Sequence, residues 1–317
     1  MGPPKSVTVI LAPYHVGIKD HRVGRGPAAI LDAGLIARIE RALPSGIPVK
    51  VAEIQAVQET PTEVEGDIGR SFGVLRNVSD AVRRARNEGS WPLVLSGNCM
   101  NVVGVNAGLN DAEEDNASGA DGSGEGDHGQ GRQVIWFDAH ADLEGPETTE
   151  SGYLDGMGGR MLLGEGFGRL LGGIAGYRKI EGKQLIGVGF RDYSSSEKDK
   201  IAREGVRVVW GRKGLDKGEY RAALEEVLKE TSEERRDAVL HVDVDSLDPR
   251  VGRANEFAVS GGLGERDLVE CVDVVMERRT VRAMHVASLN PEFDGWERCV
   301  EVVAKAVERV VARELGS

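Results

Sequence analysis

The chain has 317 residues, enough to bury one large core, and carries 40 Lys+Arg against 52 Asp+Glu, a formal charge of −12. That acidic balance excludes non-specific nucleic-acid binding and adhesion to anionic membranes as first readings. The three cysteines, Cys99, Cys271 and Cys299, are odd in number and far apart, which argues for a reducing, cytoplasmic compartment rather than a disulfide scaffold.

In chain order, the opening "MGPPKSVTVILAPYH" holds one short apolar run of strand length, with no signal-peptide or membrane-span pattern. His15 and His21 follow in a glycine-containing loop where they can face a pocket. "GPAAILDAGLIARIERAL" reads as a helix, with Pro27 in its first turn. "VKVAEI" and "WPLVLSGN" read as strands, the second ending in Ser96, Gly97, Asn98 and Cys99. Residues 110 to 132, "NDAEEDNASGADGSGEGDHGQGR", have almost no apolar content. They are expected to form a disordered surface excursion, with His128 solvated, inside a single domain spanning 1 to 317.

"VIWFDAHADLE" then places Asp138, His140 and Asp142 at alternate positions where an apolar strand ends. In an extended chain those side chains share one side. "QLIGVGF" and "VRVVW" are further strands. "AVLHVDVDSLDP" ends in Asp243 and Asp245, with Asp248 in a turn before Pro249. His241 lies deeper in that strand and reads as a core or supporting group. His285, in "VRAMHVASLN", has the same default. "DLVECVDVVMERR" and "CVEVVAKAVERVVAREL" have apolar residues three and four apart, so they read as helices with Cys271 and Cys299 in the core.

Strands alternating with helices, and continuous rather than alternating apolar strands, predict an α/β domain whose parallel sheet is covered on both faces. Ligand sites in such sheets lie beyond the carboxyl ends of the strands. Asp-x-His-x-Asp at one strand end and Asp-x-Asp at another crowd acidic groups that would repel and resist burial. A divalent metal pair resolves the conflict, because carboxylates bridge two cations. A dinuclear phosphoesterase also uses such a pair, but no basic cluster lies near these residues in the sequence.

"FDAHAD", "HVDVDSLDP" and "SGGL", with "GRGPAAIL", "TTESGYLDG", "VGFRD" and "SLNP" in the same order, resemble the ureohydrolase (arginase/agmatinase) superfamily over most of the chain. The resemblance implies a three-layer α/β/α domain with a central, mostly parallel eight-stranded sheet. It also implies hydrolysis of a guanidino C–N bond with two divalent ions, Mn²⁺ first, and often a homo-oligomer. Carried over by position, Asp138 and Asp243 bridge the metals, His140 and Asp245 complete one site, and Asp142 and Cys99 the other. Cys99 stands where the family usually has His, as in the Nω-hydroxyarginine hydrolase branch. Its thiolate moves preference toward Zn²⁺, Fe²⁺ or Co²⁺.

Other positions depart as well. Asp155 replaces the family's proton-shuttle His and is assigned an assisting proton role beside Asp142. Tyr153 replaces an Asn, and Ser288 replaces the Glu that holds the guanidinium. Glu144 stands where arginases have Asn, and Ser194 where they have a substrate-holding Asp. Thr149, Ser151 and Glu197 keep substrate-binding residue types. The implied function is a metal-dependent amidinohydrolase of a small guanidino compound, inefficient on L-arginine and suited to a hydroxyguanidine. The alternative is a catalytically weak or inactive arginase-like protein with a binding or regulatory role.

Overall fold

The computed structural model describes residues 3–57, 64–118, 131–211, 219–231 and 236–316. Eight strands form one sheet: β1 Ser6–Ala12, β2 Val49–Glu53, β3 Ser90–Ser96, β4 Gln133–Phe137, β5 Leu185–Val188, β6 Arg207–Val209, β7 Arg236–Asp243 and β8 Arg279–Ala287. Their spatial order is β2-β1-β3-β8-β7-β4-β5-β6, and every pairing is parallel.

The continuous apolar runs follow from burial on both faces. Along β4, Ile135 and Phe137 pack with the helices Glu265–Arg278 and Trp296–Leu315. Val134 and Trp136 face the other layer, built on Gly66–Asn87 and Val102–Ser118. Adjacent residues therefore serve opposite cores, as the strand's period of two requires. The edge strand β2 is mostly exposed. Cys271 and Cys299 are fully buried core thiols.

Three local expectations change. The helix read over "GPAAILDAGLIARIERAL" is two helices, Gly26–Asp32 and Leu35–Ala42, parted at Gly34, whose φ of 88° only glycine adopts without strain. Strand β4 ends at Phe137, and Asp142 has φ 50°, so Asp138, His140 and Asp142 lie on a loop and not on extended strand. The stretch 110–132, read as an excursion, is structured at both of its ends. The helix Val102–Ser118 runs through its first nine positions. Arg132 is buried and donates to Asn106 Oδ1 (3.3 Å), Asn110 Oδ1 (2.6 Å) and Glu113. Positions 119–130, with His128, lie outside the described residues.

Candidate metal centre

Five adjacent strands, β3, β8, β7, β4 and β5, deliver the candidate residues from beyond their carboxyl ends into one cavity of about 810 Å³. Cys99, Asp138, His140, Asp142, Asp155, Asp243 and Asp245 all line it. So do Thr149, Ser151, Tyr153, Glu197 and Ser288. Residues up to 189 positions apart in sequence meet here: the Cys99 Sγ lies 2.8 Å from Ser288 Oγ. His15 and His21 do not line it among the described residues. The His15 ring instead packs 5.8 Å from that of Tyr153.

Each acidic ligand candidate is held by specific donors. Asp138 accepts from Trp136 Nε1 (2.8 Å) and from the His140 backbone N–H (2.7 Å). Asp243 Oδ1 accepts from the Asp245 backbone N–H (2.6 Å), and its Oδ2 faces the Cys99 thiol at 2.5 Å. Asp245 accepts from Asn255 Nδ2 (3.0 Å) and the Ala139 N–H (3.3 Å). His140 Nδ1 lies 3.2 Å from Asp138 and 3.5 Å from Asp245. Ligand-type atoms of Asp138, His140 and Asp245 all lie within 4.8 Å of one another, and so do those of Cys99, Asp138 and His241.

The charge of the cavity is one-sided. Nine of its lining residues are Asp or Glu, and no Lys or Arg lines it among the described residues. Burial first, and then neighbouring carboxylates, push Asp142 and Asp243 well above the usual carboxylate range. Asp138 is raised by burial and by Asp245. Burial and Asp243 raise the Cys99 thiol well above its ordinary value. Burial disfavours the His140 cation, but Asp245 and Asp138 outweigh it and lift the imidazole to about 9. Burial opposes ionisation of Asp245 too, yet His140 and its hydrogen bonds bring it net below the ordinary value. Such a group of oxygen, nitrogen and sulfur donors, short of positive charge, fits divalent cations.

Several assigned residues are engaged differently from what the sequence led us to expect. Asp155 accepts from Asn98 Nδ2 (2.6 Å) and the Met100 N–H (2.9 Å), so its carboxylate fastens the turn that carries Cys99. Burial lifts it to about 6, with Asp138 contributing less, so neighbouring charge is not the main cause. Glu197 accepts from the Leu143 N–H (3.0 Å) and the Ser194 N–H (2.8 Å), closing a capping box on the helix Ser195–Glu204. Each of its oxygens accepts one backbone N–H, so the carboxylate serves the local structure as well as lining the cavity. Thr149 Oγ1 and Ser151 Oγ accept from the N–H groups of Gly152 (3.0 Å) and Tyr153 (3.1 Å) in the rim loop. Asp248 accepts from Gly261 N–H (2.8 Å) and Arg250 N–H (3.0 Å), a turn role as the sequence indicates.

The sequence reading missed four contributors. Asn255 ties Asp245 to the Ser288 carbonyl (2.9 Å). Phe257 faces the Tyr153 ring at 5.5 Å and forms a cavity wall. Arg191, quoted only within "VGFRD", donates to the carbonyls of Asp245 (2.8 Å), Gly189 (3.0 Å) and Val259 (2.9 Å). Trp136 stands two residues before Asp138 on the same face, which was the available signal for its bond. His241 and His285, read as core, stack at 4.8 Å with their Nδ1 atoms 2.8 Å apart. Burial lowers both pKa values, His285 to about 3, so both rings are neutral.

The arginase family pattern matches residues 5–312. The arginase of Staphylococcus aureus (strain COL) is 26% identical over 310 residues, 96% of each chain. The crystal structure of arginase from Bacillus subtilis superposes with a TM-score of 0.75 at 24% identity, covering 97% of this chain and 98% of that one. Proclavaminate amidino hydrolase from Streptomyces clavuligerus gives 0.65 at 18% identity, covering 98% and 94%. At those identities the two structural likenesses speak for the fold alone.

Proposed function

The chain belongs to the arginase family, and from that premise we propose that it is a metal-dependent amidinohydrolase of a small guanidino compound, favouring a hydroxyguanidine over L-arginine. The observation that carries this reading is the cavity at the ends of five adjacent strands, β3, β8, β7, β4 and β5, with nine acidic residues and no lysine or arginine among the described residues. Asp138 and Asp243 would be shared between two divalent ions. His140 and Asp245 would complete one ion's set, and Asp142 and Cys99 the other's. Oxygen donors favour Mn²⁺, and the Cys99 sulfur moves preference toward Zn²⁺, Fe²⁺ or Co²⁺. A bound pair supplies charge stabilisation and a water that is nucleophilic at neutral pH.

The chain's own groups do the rest. Asp142 is buried and fixed by a left-handed backbone conformation at the cavity wall. It accepts the proton of the attacking water and returns it to the leaving amine nitrogen, as a C–O bond forms and the C–N bond breaks. Tyr153 and Phe257 line the cavity with aromatic rings against which a planar guanidine can pack. Thr149 and Ser151 place hydroxyls on the rim for the polar end of the substrate. The engagement of Asp155 favours a positioning role for it over the proton relay expected from sequence. Ser288 offers a hydroxyl where an arginine-directed site needs a charge. A hydroxyguanidine is less basic and binds neutral, so it needs that charge less. The three reduced cysteines fit a cytoplasmic setting, and self-association is in keeping with the family.

A second reading has one observation in its favour: Asp155 and Glu197 spend their oxygens on structure, which suits a binding or regulatory protein. A panel of arginine, agmatine and hydroxyguanidino acids, assayed with Mn²⁺ and with Co²⁺ for urea and hydroxyurea release, separates the two. Hydroxyurea release faster than urea release supports the hydrolase. No release from any member by protein holding two ions favours the second reading.

A further inference from the structure

We propose that His241, from inside strand β7, is a direct ligand to the ion that Cys99 binds, returning the imidazole that this chain lacks at position 99. The inference rests on the metal pair proposed above. It concerns a residue two positions deeper than Asp243, on the same face of the strand.

Cys99 Sγ, an Asp138 oxygen and a His241 ring nitrogen lie within 4.8 Å of one another, with all three residues buried. His241 is 0% exposed. Its Nε2 finds no hydrogen-bond partner among the described residues. The Trp136 ring packs edge-on at 4.4 Å and holds the imidazole in place.

A chain of hydrogen bonds then decides which nitrogen carries the proton. The Asn98 carbonyl can only accept, and the Ser96 hydroxyl donates to it at 2.7 Å. With its proton spent, Ser96 Oγ accepts from His285 Nε2–H at 2.9 Å. A neutral His285 therefore has a bare Nδ1, which accepts from His241 Nδ1–H at 2.8 Å. That leaves His241 Nε2 with a bare lone pair in the interior, on a ring that has a nitrogen within 4.8 Å of Cys99 Sγ and an Asp138 oxygen. A buried acceptor without a donor is costly, and a cation among these donors satisfies it. Metal-bound histidines commonly have their second nitrogen fixed in this way; here His285 and Ser96 do it. The resulting sulfur, imidazole and carboxylate set resembles that of a zinc or cobalt site more than an all-oxygen manganese site.

The test uses the full chain, freed of metal, with ¹⁵N-labelled histidine and loaded with two equivalents of ¹¹³Cd²⁺. Two histidine ring nitrogens should show coupling to cadmium. His140→Gln should remove one coupling and His241→Gln the other. His241→Gln and Cys99→Ala should weaken the same ion. His285→Phe, which removes the proton-fixing partner, should weaken that ion by about 10- to 100-fold. The native protein alone decides the matter even where a variant does not fold. Cadmium bound with a single coupled histidine in the native protein overturns the assignment while leaving the metal pair standing. No cadmium bound overturns the metal pair and this assignment with it.

Discussion

Replacing Arg191 with Ala should damage the metal centre without touching a ligand. The guanidinium makes four contacts of 3.0 Å or less: Nε and Nη2 to the Val259 carbonyl, Nη1 to Gly189 and Nη2 to Asp245. Two longer ones reach Leu247 (3.3 Å) and Ser246 (3.4 Å). Hydrogen bonds to a charged donor are worth about 1.5–3 kcal/mol each, but neighbours sharing one group do not add. Water can also rehydrate part of the opened site, since Arg191 is only half-buried. A loss of about 3–4 kcal/mol of folding stability is expected, roughly two such charged bonds' worth after that discount. Asp245 should also lose its fixed backbone and part of the field that keeps it ionised, lowering Mn²⁺ affinity about 10- to 100-fold. Arg191→Lys should recover part of the stability, because three ammonium donors cannot span the same carbonyls. Urea unfolding of metal-free protein, followed by equilibrium dialysis against Mn²⁺, measures both effects. Stability within about 0.5 kcal/mol of native, the range of ordinary surface substitutions, would refute the reasoning.

Ser288→Glu should raise kcat/KM for L-arginine about tenfold relative to a hydroxyguanidine, since a charged bond exceeds a neutral one by roughly 1–2 kcal/mol. An unchanged ratio in steady-state assays would remove Ser288 from substrate choice. Cys99→His should shift metal preference toward Mn²⁺ and away from Zn²⁺ and Co²⁺, read by competition dialysis; an unchanged order would place the Cys99 sulfur outside the coordination set. Asp248 is held down to about 2, against burial, by Arg250 and the Gly261 N–H. Its stabilisation is therefore complete above the unfolded value near 4 and fades as pH falls through about 2. Asp248→Asn should lose about 2 kcal/mol at pH 7, with the difference from native vanishing near pH 2 in urea titrations. A pH-independent difference would contradict that origin.

The sheet was legible because burial on both faces writes itself as unbroken apolar runs, as in "VIWF" and "AVL". Asp138, Asp142, Asp243 and Asp245 were legible because charge at the end of such a run needs a reason, while Glu150 and Asp192, which also line the cavity, gave no such signal. What the sequence hid was engagement. Asp155 and Glu197 look like chemistry by residue type, and only the fold shows their oxygens taken by backbone N–H groups. Arg191 works through carbonyls, which every residue possesses, so no pattern announces it. The His241–His285 pair arises from the register of β7 on β8, where they are direct partners 44 positions apart. The helix through 110–118 defied its polar composition because Leu109 and Ala112 are buried and Arg132 gathers its polar side chains. The positive φ of Asp142 and Ser288 is strain of a kind that gathers at functional sites, and neither residue type signals it.

The central claim is that the acidic cavity is a two-ion site. Protein stripped with chelator and dialysed against Mn²⁺ and Co²⁺ in turn, with bound metal counted by mass spectrometry, tests it most directly. The account predicts two ions per chain in the native protein and a loss of both sites in the double substitution Asp138→Asn, Asp243→Asn. Native protein that binds no ion at millimolar metal, while folded by circular dichroism, would contradict it.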